Sequence, residues 1–212
     1  MRTIAIGVLL VAAAATCTHA QQWEFGGVGG AAFLNTVAVS SPAGSATAGF
    51  QQGGTYGAFL GQNISAHIAG EIRYEYMQSS LQLRSGGQSA SFAGVAHAVH
   101  YDLLLHTNRH NSPVQLYAAV GGGMKYFMGT GTEAAYQPLN QFGYFTKTST
   151  IKPMVDAGGG ISFALSKRIF LRTEVRDFIT QFPTQVLTPP PGVKYAKLLH
   201  DIVPMAGLSY MF

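Results

Sequence analysis

Ile202-Val203-Pro204-Met205-Ala206-Gly207-Leu208-Ser209-Tyr210-Met211-Phe212 is the stretch on which the reading of this chain turns. Taken alternately, Ile202, Pro204, Ala206, Leu208, Tyr210 and Phe212 are apolar throughout. The other set, Asp201, Val203, Met205, Gly207, Ser209 and Met211, is smaller and mixed. A period of two marks a strand with two unlike faces. An apolar face that closes on aromatics suits water poorly. It suits a wall that touches lipid and holds its aromatics at the membrane interface.

The composition agrees. Residues 1–20 carry Arg2, an apolar core from Ile4 to Ala15 and small residues before Gln21, the pattern of a cleaved secretory signal with a cut after Thr18-His19-Ala20. That core is too short to span a membrane as a helix. Cys17 invites a lipoprotein reading, but Thr16 before it and the distant Leu10 do not suit that signal. Cleavage after Ala20 leaves 21–212 as a single domain without cysteine, so neither disulfides nor thiol chemistry are expected. Charged residues make up only 10% of the chain, against about 25% in soluble domains. The net charge of +4 is too weak and dispersed to suggest nucleic acid as a partner.

Alternation places the strands. The first runs from Trp23 to Asn35, the second from Thr55 to Gly61, the third from Ala66 to Tyr76 and the fourth from about Ser91 to Leu105. Val114–Met128, Ile151–Leu165, Ile169–Ile179 and the closing stretch supply the other four. Residues 34–54, 77–88, 129–149 and 183–194 read as long loops, while Gln62-Asn63, His106–Pro113 and Ser166-Lys167 read as short turns. Bacterial membrane barrels have an even strand number, with long loops on one side and tight periplasmic turns on the other. On this reading both termini are periplasmic.

With Gly207, Tyr210 and Phe212 placed as they are, the last strand resembles the assembly signal of bacterial outer-membrane barrels, although Ala206 stands where a polar residue is usual. In that family this strand is recognised by the barrel assembly machinery. The whole of 21–212 resembles the small outer-membrane barrels of the OmpA transmembrane-domain and OmpX type. The resemblance implies an all-β, eight-stranded antiparallel up-and-down transmembrane barrel in the outer membrane, surrounded by lipopolysaccharide. A soluble lipocalin-like barrel also has eight strands, and parity alone does not separate the two.

By parity the interior receives Glu71, Arg73 and Glu75 from the third strand, Asp102, Lys125 and Asp156 from the next three, and Arg172, Glu174 and Arg176 from the seventh. The third and seventh strands face each other across a ring of eight, so a paired charge network filling the lumen is expected. His100 and Asp102 share a face and read as an interior hydrogen-bonded pair. His97 falls on the lipid face, where it has no evident reason to be. His110-Asn111-Ser112 matches the His-x-Ser element of outer-membrane lipid A deacylases, but it falls in a short turn with no acid beside it. The glycine clusters 26–30, 121–123 and 158–160 lie inside strands without a following helix, so they read as room for large neighbours rather than phosphate loops. No cofactor, metal or catalytic set is expected. The expected role is structural or adhesive through four long loops; Lys147, Lys194 and Lys197 read by default as solvated surface, with contact to lipopolysaccharide or a surface partner as the alternative. A narrow channel and a lipid-modifying enzyme are the alternatives, the first disfavoured because eight strands leave room for little but side chains.

Overall fold

In the computed structural model, residues 22–42, 44–108 and 112–212 are described. In chain order the strands are β1 (Trp23–Leu34), β2 (Thr36–Ser41), β3 (Gly44–Phe50), β4 (Gly53–Asn63), β5 (Ile68–Gln78), β6 (Leu81–Ser85), β7 (Gln88–Phe92) and β8 (Gly94–His106). They continue as β9 (Val114–Gly129), β10 (Tyr144–Phe145), β11 (Ser149–Ala164), β12 (Ile169–Gln181), β13 (Leu187–Thr188), β14 (Lys194–Tyr195) and β15 (Leu198–Met211). Eight of them close into a barrel in the order β1-β15-β12-β11-β9-β8-β5-β4. The seam is antiparallel, with Phe25 opposite Tyr210 and Gly29 opposite Ala206. Beyond the ladder, Trp23 and Phe212 exchange backbone hydrogen bonds of 3.1 and 2.9 Å.

The faces decide between lipid and water. Ile72 (52%), Val99 (51%), Val120 (55%) and Val155 (56%) stand exposed at mid-strand, while Glu71, Arg73, Arg172 and Arg176 between them are 2% exposed or less. A soluble barrel needs the reverse arrangement. The outer wall is an apolar belt and the polar side faces the lumen, as in a membrane barrel. β9 and β11 have 16 residues each, more than the 9–11 or so that cross a bilayer. They therefore project beyond the belt at the end away from the termini.

At that end two of the expected loops, 34–54 and 77–88, are largely strands instead, and the other two carry only two-residue strands. β14, β2, β3, β6 and β7 form a five-stranded sheet in that order, and β10 pairs with β13 in a separate two-stranded ladder. Val37, Val39, Ala46, Ala48 and Phe50 alternate along the β2–β3 hairpin and bury one side of it. Leu81 and Leu83 in β6, with Phe142, Phe145, Phe182, Val186 and Leu187 from the other connections, complete a compact apolar cap. The β6–β7 hairpin turns through Gly86 and Gly87 at φ of 55° and 80°, which a two-residue primed turn requires and glycine supplies without steric cost. Residues 91–92, expected in the fourth barrel strand, belong to β7 of the cap. The turn expected at Gln62-Asn63 lies after them, where Ile64 and Ser65 both donate to the Ile68 carbonyl.

One continuous core joins barrel and cap. Met77, Ala96, Phe127, Met154, Phe178 and Leu199 point into the cap end of the lumen and belong to the same buried cluster as the cap residues. Phe50 bridges the two, stacking on Phe127 at 5.5 Å and lying 6.3 Å from Phe182. Tyr195, outside the membrane belt, donates its hydroxyl to the Phe142 carbonyl at 2.7 Å. Burial holds that hydroxyl well above the ordinary tyrosine range, so it stays a donor at any physiological pH.

Candidate functional site: the filled lumen and its rim

Toward the turn end the lumen is charged. Arg73, at the centre of β5, donates to Glu71 at 2.6 and 2.8 Å and to Glu75 at 3.2 Å, and it reaches across the barrel to Glu174 of β12. Arg172 crosses in the opposite sense to Glu71 at 2.7 Å. Arg176 lies 3.0 Å from Asp156, 3.1 Å from Asp102 and 3.2 Å from Glu174. Burying a charge is costly unless partners and hydrogen bonds replace its water, and here each guanidinium has two or more carboxylates. Phe59 packs beneath the pair on the β4 side, its ring 4.2 Å from the Arg172 guanidinium and 5.2 Å from that of Arg73.

Eight of the nine interior residues expected from parity meet in this network. Lys125 also faces inward, but its ion pair is with Asp201 at 2.5 Å. Asp201 follows the same parity on β15 and completes the census of interior acids. Two further members are missing from the sequence reading. Tyr117 donates to Glu174 at 2.9 Å and receives Arg172 at 3.2 Å. Glu24, at the turn-end rim, lies 3.6 Å from Arg172. Neither carried a signal: Tyr117 reads as one more aromatic of an alternating strand, and Glu24 sits at a strand end where acids are ordinarily solvated.

The His100–Asp102 hydrogen bond is present at 2.7 Å, and Asp156 lies 3.4 Å from the same nitrogen. One ligand atom from each of His100, Asp102 and Asp156 falls within 4.8 Å of the others, close enough to surround a cation. Arg176 already sits against both carboxylates, so their charge is met by a guanidinium, and a metal beside it would be repelled. Gly121 makes this cluster possible, since a Cβ there would stand 2.0 Å from Asp102 Oδ1 and 2.7 Å from Asp156 Oδ1. Gly158 and Gly160 likewise clear room for Arg176 and Tyr117. These glycines serve large polar neighbours, as their place inside strands suggested.

His97 does face outward, and it has a partner. Its Nδ1 is 2.8 Å from the Tyr74 hydroxyl, and its ring lies 5.5 Å from Tyr76 and 6.3 Å from Tyr126. An imidazole in such an aromatic patch toward the cap end belongs to the interfacial girdle, where amphipathic rings are favoured. Asp177 and His200 form a second outward pair, 2.9 Å apart, that the sequence reading missed. His110 lies outside the described residues, so the His-x-Ser element has no geometry here.

Residues 6–195 match the family described as outer membrane protein beta-barrel domain. The chain belongs to that family. Among solved structures it is similar to Neisserial surface protein A, at 13% identity and a TM-score of 0.52, over 90% of this chain and 97% of that one. It also aligns with the N-terminal β-barrel domain of Pseudomonas aeruginosa OprF (10% identity, TM-score 0.45, 90% and 97% covered). A third alignment is with the Escherichia coli outer membrane protease OmpT (9% identity, TM-score 0.48, 92% and 98% covered). No curated protein matches the chain in sequence. At these identities the likeness to Neisserial surface protein A shows the shared fold of small outer-membrane barrels and nothing about activity.

The family barrel places Tyr210 and Phe212 on the outer wall, 41% and 63% exposed, with Gly207 facing in. Because Phe212 meets lipid beside the β1–β15 seam, Phe212→Asp is expected to cut the yield of folded barrel severalfold. Met211→Asp, on the other parity at the rim, is expected to cost less. Heat-modifiable gel mobility of the membrane fraction measures both, and equal losses would refute the parity argument.

Proposed function

We propose that this protein is a closed structural barrel of the outer membrane that displays a rigid β-cap to the exterior as an interaction surface. The observation that carries the reading is the continuity of its filling. The ion network occupies the turn-end half of the lumen, an apolar layer follows, and that layer merges with the cap core. A lumen filled in this way favours anchoring and surface contact over conduction. The turn end, with both termini, faces the periplasm on this reading, and a cleaved signal with delivery by the barrel assembly machinery are parts of it. The cap end stands among lipopolysaccharide.

Two measurements test this. Refolded protein in a planar bilayer is expected to give no discrete, steady conductance steps; reproducible steps would restore the narrow-channel alternative. The mature chain has no cysteine if the signal is cut as proposed, so single labels report sidedness cleanly. Ser89→Cys in the cap is expected to react with a membrane-impermeant maleimide on intact cells, and Arg168→Cys only after permeabilisation. The opposite pattern would invert the barrel and end the surface reading.

A further inference from the structure

Folding sorts the charges in a way the modest net charge conceals. Of the nine acidic residues, six lie in the lumen (Glu71, Glu75, Asp102, Asp156, Glu174 and Asp201), and Asp177 is paired with His200 on the outer wall. Glu24 sits at the turn-end rim beside Arg172. That leaves Glu133 as the acid of the cap, and it is engaged by the backbone N–H of Lys147. The cap end meanwhile carries Arg84, Lys147, Lys152, Lys194 and Lys197. It is a basic surface at the height where the apolar belt ends.

Two of these cations line the same cleft. Lys152, near the cap end of β11, and Lys197, just before β15, line one cleft of ≈ 550 Å³ at the rim, with Gln181, Phe182, Thr184 and Leu198. Among the described residues no carboxylate lines it. Neither ammonium makes a hydrogen bond or an ion pair among the described residues. Gln181 and Thr184 add neutral polar groups between the lysines. Leu198, 56% exposed, begins the lipid-facing wall of β15 and follows Lys197 in the chain. The cleft therefore combines two ammoniums and neutral polar groups with apolar side chains, Leu198 at the edge of the belt among them.

We propose that this cleft binds the phosphate of an outer-leaflet phosphoglycolipid, with Lys152 and Lys197 on the phosphate oxygens and an acyl chain against Leu198. A charged headgroup on a hydrocarbon chain matches both halves of the site. A soluble phosphate compound would leave Leu198 unused, and an uncharged lipid would leave two ammoniums without counter-ions. The volume suits a sugar phosphate, since small-ligand sites commonly run about 300–1,000 Å³. Charge-assisted bonds to phosphate are among the stronger polar contacts. The assignment rests on the cap facing the exterior, as proposed above.

The test uses the mature chain refolded in dodecylmaltoside micelles, with native mass spectrometry reporting retained lipid. Bisphosphorylated lipid A is expected to remain bound and its dephosphorylated form to be lost. Lys152→Gln with Lys197→Gln is expected to weaken lipid A binding about tenfold or more, since each lost charged contact is worth roughly a tenfold factor. Lys167→Gln with Arg168→Gln, at the other end, is expected to bind like the parent. Heat-modifiable mobility checks that each variant is folded. Equal retention of the two lipid A forms, or parent-like binding by the Lys152 and Lys197 variant, overturns the site. Inorganic pyrophosphate competing on equal terms with lipid A overturns the lipid assignment and makes the ligand a soluble phosphate. The comparison of the two lipid forms with the parent protein decides the matter even if a variant fails to fold. Micelles have no sidedness, so an inverted barrel would show only in the maleimide experiment and a wrong ligand only here.

Discussion

Arg73→Ala is expected to destabilise the barrel by about 3–5 kcal/mol, the loss typical when one partner of a buried ion pair is removed. Arg73 is 1% exposed and bridges three carboxylates, Glu71, Glu75 and Glu174, on two strands facing each other across the lumen. Its removal strands negative charge where water cannot reach and also empties the space over Phe59. For a chain of this size the loss corresponds to a fall of roughly 6–20 °C in the unfolding midpoint. Urea unfolding from lipid vesicles gives the free energy, and heat-modifiable mobility gives the temperature. Glu75→Gln should be far milder, because Glu75 contributes one 3.2 Å contact and its other oxygen has no hydrogen bond. Lys147→Ala, in an exposed connection, should leave both readouts unchanged. A parent-like Arg73→Ala, or a Lys147→Ala that melts as early, would mean that the lumen charges are solvated and hold nothing together.

The barrel was legible because its strands keep one parity from end to end. Where Ile72, Tyr74 and Tyr76 alternate with Glu71, Arg73 and Glu75, the period of two and the sign of each face are both in the sequence. Pairing across the lumen followed from counting strands round a ring, and Arg73–Glu174 and Arg172–Glu71 are such pairs. The cap was not read, though its signals were present. Val37 and Val39 alternate, Leu81 and Leu83 alternate, and Gly86-Gly87 between short alternating runs is a hairpin signal. The surrounding serines, glycines and prolines made these runs look like solvated loop. The start of β8 was hidden for another reason. Ala90, Phe92, Gly94 and Ala96 are all buried on one parity, so alternation continues unbroken while the pairing partner changes from β6 to β5 and β9. Periodicity reports faces and not neighbours. For the same reason the cap-end lysines looked dispersed: only folding shows that nearly all the acids lie elsewhere.

Leu83→Asp is expected to open the cap while leaving the barrel intact. Leu83 is fully buried in β6, where it lies opposite Ala48 of β3. An unpaired carboxylate there costs several kcal/mol by desolvation, on top of the roughly 1.5–3 kcal/mol of apolar burial that the leucine side chain provided. No cap strand takes part in the closed ring, whose backbone ladder is complete without them. The cap can therefore lose its core while all eight barrel strands stay paired. Limited trypsin digestion is expected to cut Leu83→Asp quickly at Arg84, Lys147, Lys194 and Lys197, with the barrel fragments still heat-modifiable. Arg84→Asp, one residue along on the exposed side of the same strand, should resist digestion as the parent does, apart from losing its own cleavage site. If Leu83→Asp abolishes the folded barrel, cap and barrel are one cooperative unit and the shared apolar layer of Met77, Phe127, Phe178 and Leu199 binds them. The same variant separates the two halves of the plug. With the cap opened, the ion network between β5 and β12 still fills the lumen, so a planar bilayer should remain silent. Steady conductance appearing only in Leu83→Asp would make the cap the seal and the arginines beneath it the lining of a pore.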